Sequence, residues 1–210
     1  RVGLMLSSAA GNDLLFDTSL CDQGKSFSNK IWNSFRLVKG WEVVKKNQPI
    51  HSSIAIEWYN QKFNSVLSEI NDHFNKFRIS DALMAVYKLI WDDFCSVFLE
   101  IVKPNYGESI DSKTFEQIVS IFEKNLIIIH PFMPFISEEI WHLIEKRSKE
   151  NAIIIAEWPS STNSNDNDLI QDFESMLKVI SGIRNFRKKH QVSFKDSLEL
   201  SIVNNDNFSA

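Results

Sequence analysis

Residues 80–101 read SDALMAVYKLIWDDFCSVFLEI. Within them Leu83, Val86, Tyr87, Ile90, Phe94, Val97, Phe98 and Ile101 recur at steps of three and four, the period of one apolar face of an α-helix. Ser80 or Asp81 is placed to cap that helix, since a short oxygen-bearing side chain there accepts orphan N–H groups of the first turn. Pro104 and Gly107 end it. Working outward, Ile56, Tyr59, Phe63, Val66, Leu67, Ile70, Phe74 and Phe77 mark a second stripe, begun by Ser52 or Ser53 after Pro49. A third runs from about Leu20 to Val44 through Phe27, Ile31, Phe35 and Val38, with Asp13 or Asp17 as its cap. On the other side, Thr114 to Ile129 is helical up to Pro131 and Pro134. Ser137-Glu138-Glu139 then opens a short helix, because acids suit the positive end of the helix dipole. Ile153–Ile155 is a brief extended or connecting piece, and residues 160–168 form a polar loop. A last helix covers about 168–189. Leu198, Leu200 and Ile202 alternate with polar residues and predict a strand.

Five long stripes joined by short breaks bury best against one another. The expected fold is therefore all-α, an elongated antiparallel helix bundle, with a short strand near the C-terminus. Composition agrees: 43% of the 210 residues are hydrophobic, with 16 Phe and 6 Trp, enough to fill a core and to exclude general disorder. Six Gly and five Pro are too few for a turn-dense β fold. Neither G-x-G-x-x-G nor a P-loop occurs, which excludes a Gly-rich phosphate cradle. Cys21 and Cys95 form no disulfide framework or metal spacing, a usage that fits a reducing cytosol. No apolar run reaches membrane-spanning length. The chain opens on Arg1 without Met, so it is expected to be a piece of something longer.

Catalytic constellations are scarce. Glu138, Glu139, His142 and His130 lack the H-E-x-x-H order and read as a capped helix with packed histidines. Asp92 and Asp93 are adjacent, and adjacent residues do not share a helix face. Cys95, among Phe94, Val97 and Phe98, is a core thiol. Net charge is -4, yet basic residues cluster at Lys25, Lys30, Arg36, Lys39, Lys45 and Lys46, and again at Arg184, Arg187, Lys188 and Lys189. Lys25, Asn29, Trp32, Asn33 and Arg36 fall at helical spacing beside the Phe27 stripe. Cations, amides and an aromatic ring are groups that hold phosphates, bond base edges and stack on unpaired bases. The same flank suits an ordinary solvated surface, with Trp32 in the core, and Trp41 has the same ambiguity. Spacing leaves both open.

Four blocks carry a closer resemblance: SAAGNDL at 8–14 with Phe16-Asp17, GKSFSNKIWNSFR at 24–36, WDDFC at 91–95 with Leu99-Glu100, and HPFMPFISEEIW at 130–141. Together they resemble the valyl-tRNA synthetases, class I aminoacyl-tRNA synthetases, just after the catalytic domain. The likeness spans about residues 1–192. The last block recurs in related class I enzymes, whereas the Gly-Asn-Asp-Leu and Asn-Lys-Ile-Trp-Asn segments favour the valine enzyme over the isoleucine and leucine ones. Leu15 stands where the family usually has Pro. Lys25-Ser26 replaces a common Arg-Asn, and Lys25 supplies no guanidinium fork.

The resemblance implies an anticodon-binding domain at residues 17–192, with residues 1–16 linking from an absent catalytic domain and 193–210 beginning a following segment. The fragment itself would be non-catalytic and hold no cofactor or metal. The parent enzyme, a cytoplasmic valine–tRNA ligase, would use ATP with Mg. Partners would be valine tRNA and the catalytic domain of the same chain, with no membrane. Valine anticodons share A and C as second and third letters, so a domain that splays those bases can stack and bond them. Lys25 and Lys30 would meet loop phosphates, Asn29, Asn33 and Arg36 base edges, and Trp32 or Trp41 a base face. Arg184, Arg187 and Lys188 would hold the backbone farther away. Rival readings are a helical protein-interaction module without RNA binding, and the equivalent domain of an isoleucyl or leucyl enzyme.

Overall fold

In the computed structural model, which describes residues 2–7, 18–161 and 167–201, the periodic stretches are helices. They are α1 (Val2–Ser7), α2 (Ser19–Lys39), α3 (Ile50–Asn75), α4 (Ile79–Lys88), a π-helical run (Leu89–Phe98), α5 (Leu99–Val102), α6 (Ser112–Ile129), α7 (Pro134–Ile144), a 3-10 turn (Ile153–Ile155) and α8 (Asn167–Lys189). Two-residue strands β1 (Val43–Val44) and β2 (Ile110–Asp111) pair in parallel. The all-α expectation holds. The chain divides into two compact units, Arg1–Asp166 and Asn167–Ala210.

In the first unit, α3 packs on α4, the π run, α5 and α6, while α2 packs on α1, the π run and α7. Aromatic rings fill the centre. Phe94 is 1% exposed, with ring centroids 5.5 Å from Tyr59, 5.7 Å from Phe98 and 5.1 Å from Phe122. Tyr59 donates its hydroxyl to Asn125 Oδ1 at 2.9 Å, giving a buried polar group a partner. Burial pushes the Tyr59 phenol well above its ordinary pKa, so it stays a neutral donor. α1 crosses α2 closely at Gly3, where a Cβ would lie 1.8 Å from the Leu20 carbonyl oxygen.

Several boundaries differ from the sequence expectation. α2 stops at Lys39 rather than near Val44: Gly40 donates its N–H to Arg36 O, and Val43 and Val44 leave to pair with Ile110 and Asp111. Two β-branched residues after a glycine are better suited to extended backbone than to another helical turn. α3 starts at Ile50, with Pro49 in the cap position, not at Ser52 or Ser53. Ser52 is buried instead.

α4 starts at Ile79, so Ser80 and Asp81 lie inside its first turn and Arg78 holds the cap position. This follows from how α3 ends. Phe77 is left-handed at φ 58, with Phe77 N–H donating to Phe74 O and Arg78 N–H to His73 O. That is the Schellman pattern, with phenylalanine where glycine is usual, and it reverses the chain within three residues.

The π run explains why the 80–101 stripe is displaced. Its bonds span five residues, so the buried face turns more slowly than in an α-helix. Leu89, Cys95, Leu99 and Val102 join the core, whereas Val97 and Ile101 are half-buried. Pro134 begins α7 at its first turn, where its missing N–H costs nothing, and Ser137 lies within that turn. Ile153–Ile155 is a 3-10 turn, not an extended piece. Residues 197–201 contain no strand; Ile202 lies outside the described residues, as does the whole of the 8–17 block with Asp13 and Asp17.

Candidate nucleic-acid interface

α2 is built with opposite faces. Phe27, Ile31, Phe35 and Val38 are buried. Phe27 packs 4.6 Å from the Tyr87 ring and 6.2 Å from Trp91. Asp22 in the first turn and Arg36 with Lys39 in the last complement the helix dipole.

On the face turned away from the core, Lys25, Asn29, Asn33 and Arg36 are all exposed. Their spacing places them along one line, about 17 Å long at ~1.5 Å per residue. None of these side chains forms a hydrogen bond or ion pair with another described residue. An internal ion-pair role for Arg36 therefore finds no partner among the described residues.

The remaining candidates sit differently. Lys30 lies on the flank, its ammonium 5.5 Å from the Trp91 ring centroid. Trp32 is half-buried at the core edge, 5.5 Å from the Phe35 ring, so only part of its surface is open to a partner. Trp41 is half-buried in the α2–β1 connection. Lys25 also borders an apolar cavity of about 360 Å³ lined by α1, Phe132 and Phe135. In the second unit, Arg184 and Lys188 are exposed on α8. Arg187 donates to Ser193 O and Asp196 O, the latter at 2.9 Å, and so ties down the chain after α8.

The C-terminal end of α2 gathers groups that spacing did not reveal. Lys39 Nζ donates to Ile144 O at 3.3 Å, satisfying a carbonyl at the end of α7. The β1–β2 pair brings the 41–49 connection against the loop 103–109, where Lys46 Nζ donates to Ser109 O at 2.5 Å. Asp111, 1% exposed, accepts from Thr114 N–H at 2.8 Å and caps α6. In sequence, the only signals were Pro104 and Gly107, which mark an end without saying what it lies beside.

The carboxylates and histidines serve the scaffold. Glu138 contacts His142 Nε2 at 3.0 Å and accepts from Ile153 N–H, at 3.2 Å to its nearer oxygen. His130 Nδ1 lies 2.8 Å from Ser137 Oγ, and burial lowers its pKa while Glu138 opposes the shift. Cys95 Sγ lies 3.0 Å from Ser34 Oγ. Burial pushes the thiol up to about 11, so it is not a nucleophile at neutral pH. Among the described residues no three His, Cys, Asp or Glu side chains gather as a metal site. No described helix is long and apolar enough to cross a membrane.

The described residues thus form a helical body that presents a polar, cationic line on α2. Residues 57–202 match the family model described as the anticodon-binding domain of tRNA ligase. The chain belongs to this family. The match begins inside α3, so α2 lies before it. Whole-chain similarity covers that region. A valine–tRNA ligase from Christiangramia forsetii is 54% identical over 210 residues, all of this chain and 24% of the relative. The Phocaeicola vulgatus enzyme of the same name is 45% identical over 97% of this chain and 23% of its own length. One from Carboxydothermus hydrogenoformans is 29% identical over 98% and 24%. The domain thus spans about a quarter of the length of these relatives.

Proposed function

We propose that this domain recognises the anticodon loop of valine tRNA within a valine–tRNA ligase. Activation of valine with ATP and Mg, and its transfer to the tRNA, would be carried out by parts of the enzyme outside this chain, in the cytoplasm. The observation that carries the proposal is the exposed line of Lys25, Asn29, Asn33 and Arg36 on α2, whose side chains have no partner among the described residues.

Such a line has two kinds of work available. Lys25 supplies a point charge for a loop phosphate, joined from the flank by Lys30, and these contacts fix position without reading sequence. Asn29, Asn33 and Arg36 carry directional donors and acceptors for the edges of splayed bases, with the open part of Trp32 or Trp41 beside a base face. Arg184 and Lys188, with Arg187 holding the following turn, would add backbone contacts from α8. Residues 17–192 then act as the RNA-binding body, between the linking residues 1–16 and the segment from 193.

The division of labour is testable by salt. Affinity of the full-length enzyme for valine tRNA should fall as salt rises, because phosphate contacts release counterions. Lys25→Ala should flatten the log–log slope by about 0.7, the loss of about one single-strand phosphate contact, and weaken cognate and non-cognate tRNAs alike. A slope unchanged in Lys25→Ala would remove this residue from the phosphate contacts. Salt-insensitive or absent binding would favour a protein-interaction module.

A further inference from the structure

We propose that the loop 103–109 is a second RNA-contacting element, in which the Tyr106 ring stacks on an unpaired base of the bound tRNA; this rests on the anticodon-loop function proposed above. Tyr106 is fully exposed, an uncommon setting for a large ring with no packing duty. It stands between Pro104 and Gly107, whose φ of 81° is open to glycine at little cost. The loop is held in place from three sides. Lys46 Nζ donates to Ser109 O at 2.5 Å, Asn105 Nδ2 to Glu108 Oε2 at 3.2 Å, and Ile110 N–H to Glu42 O at 2.8 Å. A ring presented on an anchored loop loses less freedom on binding than one on a free tether.

Its surroundings select the ligand. Tyr106 borders a recess of about 410 Å³, also lined by Lys46, Lys103, His51, Glu100 and Glu108. Glu100 is paired with Lys103 at 2.5 Å. With Asp111 also in the lining, the three carboxylates disfavour a phosphate inside the recess, whereas the lysines can meet phosphates beside it. A flat, uncharged base against the tyrosine, with its flanking phosphates toward Lys46 and Lys103, satisfies both. Parallel pairing of β1 and β2 joins this loop to the connection that follows Arg36, Lys39 and Trp41. The proposed contact therefore adjoins the C-terminal end of the α2 line, and a loop of splayed bases can engage both.

The test titrates the full-length enzyme with valine tRNA and with transcripts bearing single abasic sites through the anticodon loop. Tyr106→Ala should weaken binding by roughly tenfold, within the range for loss of one stacked base, and Tyr106→Phe should restore it. At one abasic position the wild type should lose the same factor and Tyr106→Ala should lose nothing more. Arg36→Ala is carried alongside. If it weakens binding while Tyr106→Ala does not, the loop contact is wrong and the α2 reading stands; if neither matters, the anticodon reading itself fails. Losses from Tyr106→Ala and every abasic site that multiply would overturn stacking. A lowered melting temperature of Tyr106→Ala with unchanged tRNA affinity would show instead that the ring docks against another part of the enzyme.

Discussion

Arg36→Ala is expected to reduce discrimination between valine tRNA and anticodon variants by about 1–3 kcal/mol, roughly five- to 160-fold, the range for one bidentate side chain–base contact. Arg36 lies in the last turn of α2, exposed, with no ion pair to another described residue, so its planar fork of donors is available outward. Removing it leaves the buried face of α2 untouched, and stability should change by no more than about 0.5 kcal/mol, as for other surface substitutions. Arg36→Lys should keep the charge and the salt slope yet lose most of the discrimination, because an ammonium cannot reproduce a two-point contact. Binding assays with wild-type and anticodon-substituted transcripts measure this directly. Equal losses for every transcript would reassign Arg36 to the phosphates.

Phe94→Ala should be the most damaging single change to the scaffold. Its ring, 1% exposed, meets Tyr59, Phe98 and Phe122 at the centre of the first unit. Truncation removes the transfer free energy of a phenyl group and leaves a cavity, costing about 3–5 kcal/mol. Domains of this kind have about 5–15 kcal/mol in total, so the denaturant midpoint should fall steeply with little change in slope. Phe94→Leu, which keeps much of the volume, should cost less. The position also lies within the π run. If Phe94→Ala left the midpoint unchanged, the ring would not be central to the core.

These two residues show what periodicity can and cannot disclose. The 3.6-residue stripes located α2, α3, α4 and α6, because burying one face of each is the dominant requirement of the bundle. Leu89 and Leu99 escaped that pattern because π-type bonding shifts the buried face, and hydrogen-bond span is not written in side-chain spacing. The β1–β2 pair escaped because two residues cannot display a period. The cap position at Arg78 was missed because α3 ends in a turn where Phe77 is left-handed and its ring is exposed rather than part of the stripe, a conformation that phenylalanine rarely adopts; at the other end Pro49 itself takes the cap position of α3. For the interface, spacing did place Lys25, Asn29, Asn33 and Arg36 on one exposed line. It could not say that Lys30 turns toward Trp91 or that Trp32 leans on Phe35, since flank residues are assigned by what packs next to them. Tyr106 had no sequence signal at all; its setting depends on two distant connections meeting.

The exposed face of α2 is expected to lie against the anticodon loop. A photo-crosslinking amino acid placed at position 33 of the full-length enzyme, irradiated with bound valine tRNA, tests that directly. Crosslinks confined to anticodon-loop nucleotides are the predicted result. Crosslinks to the acceptor stem, or to protein alone while the tRNA remains bound, would contradict it.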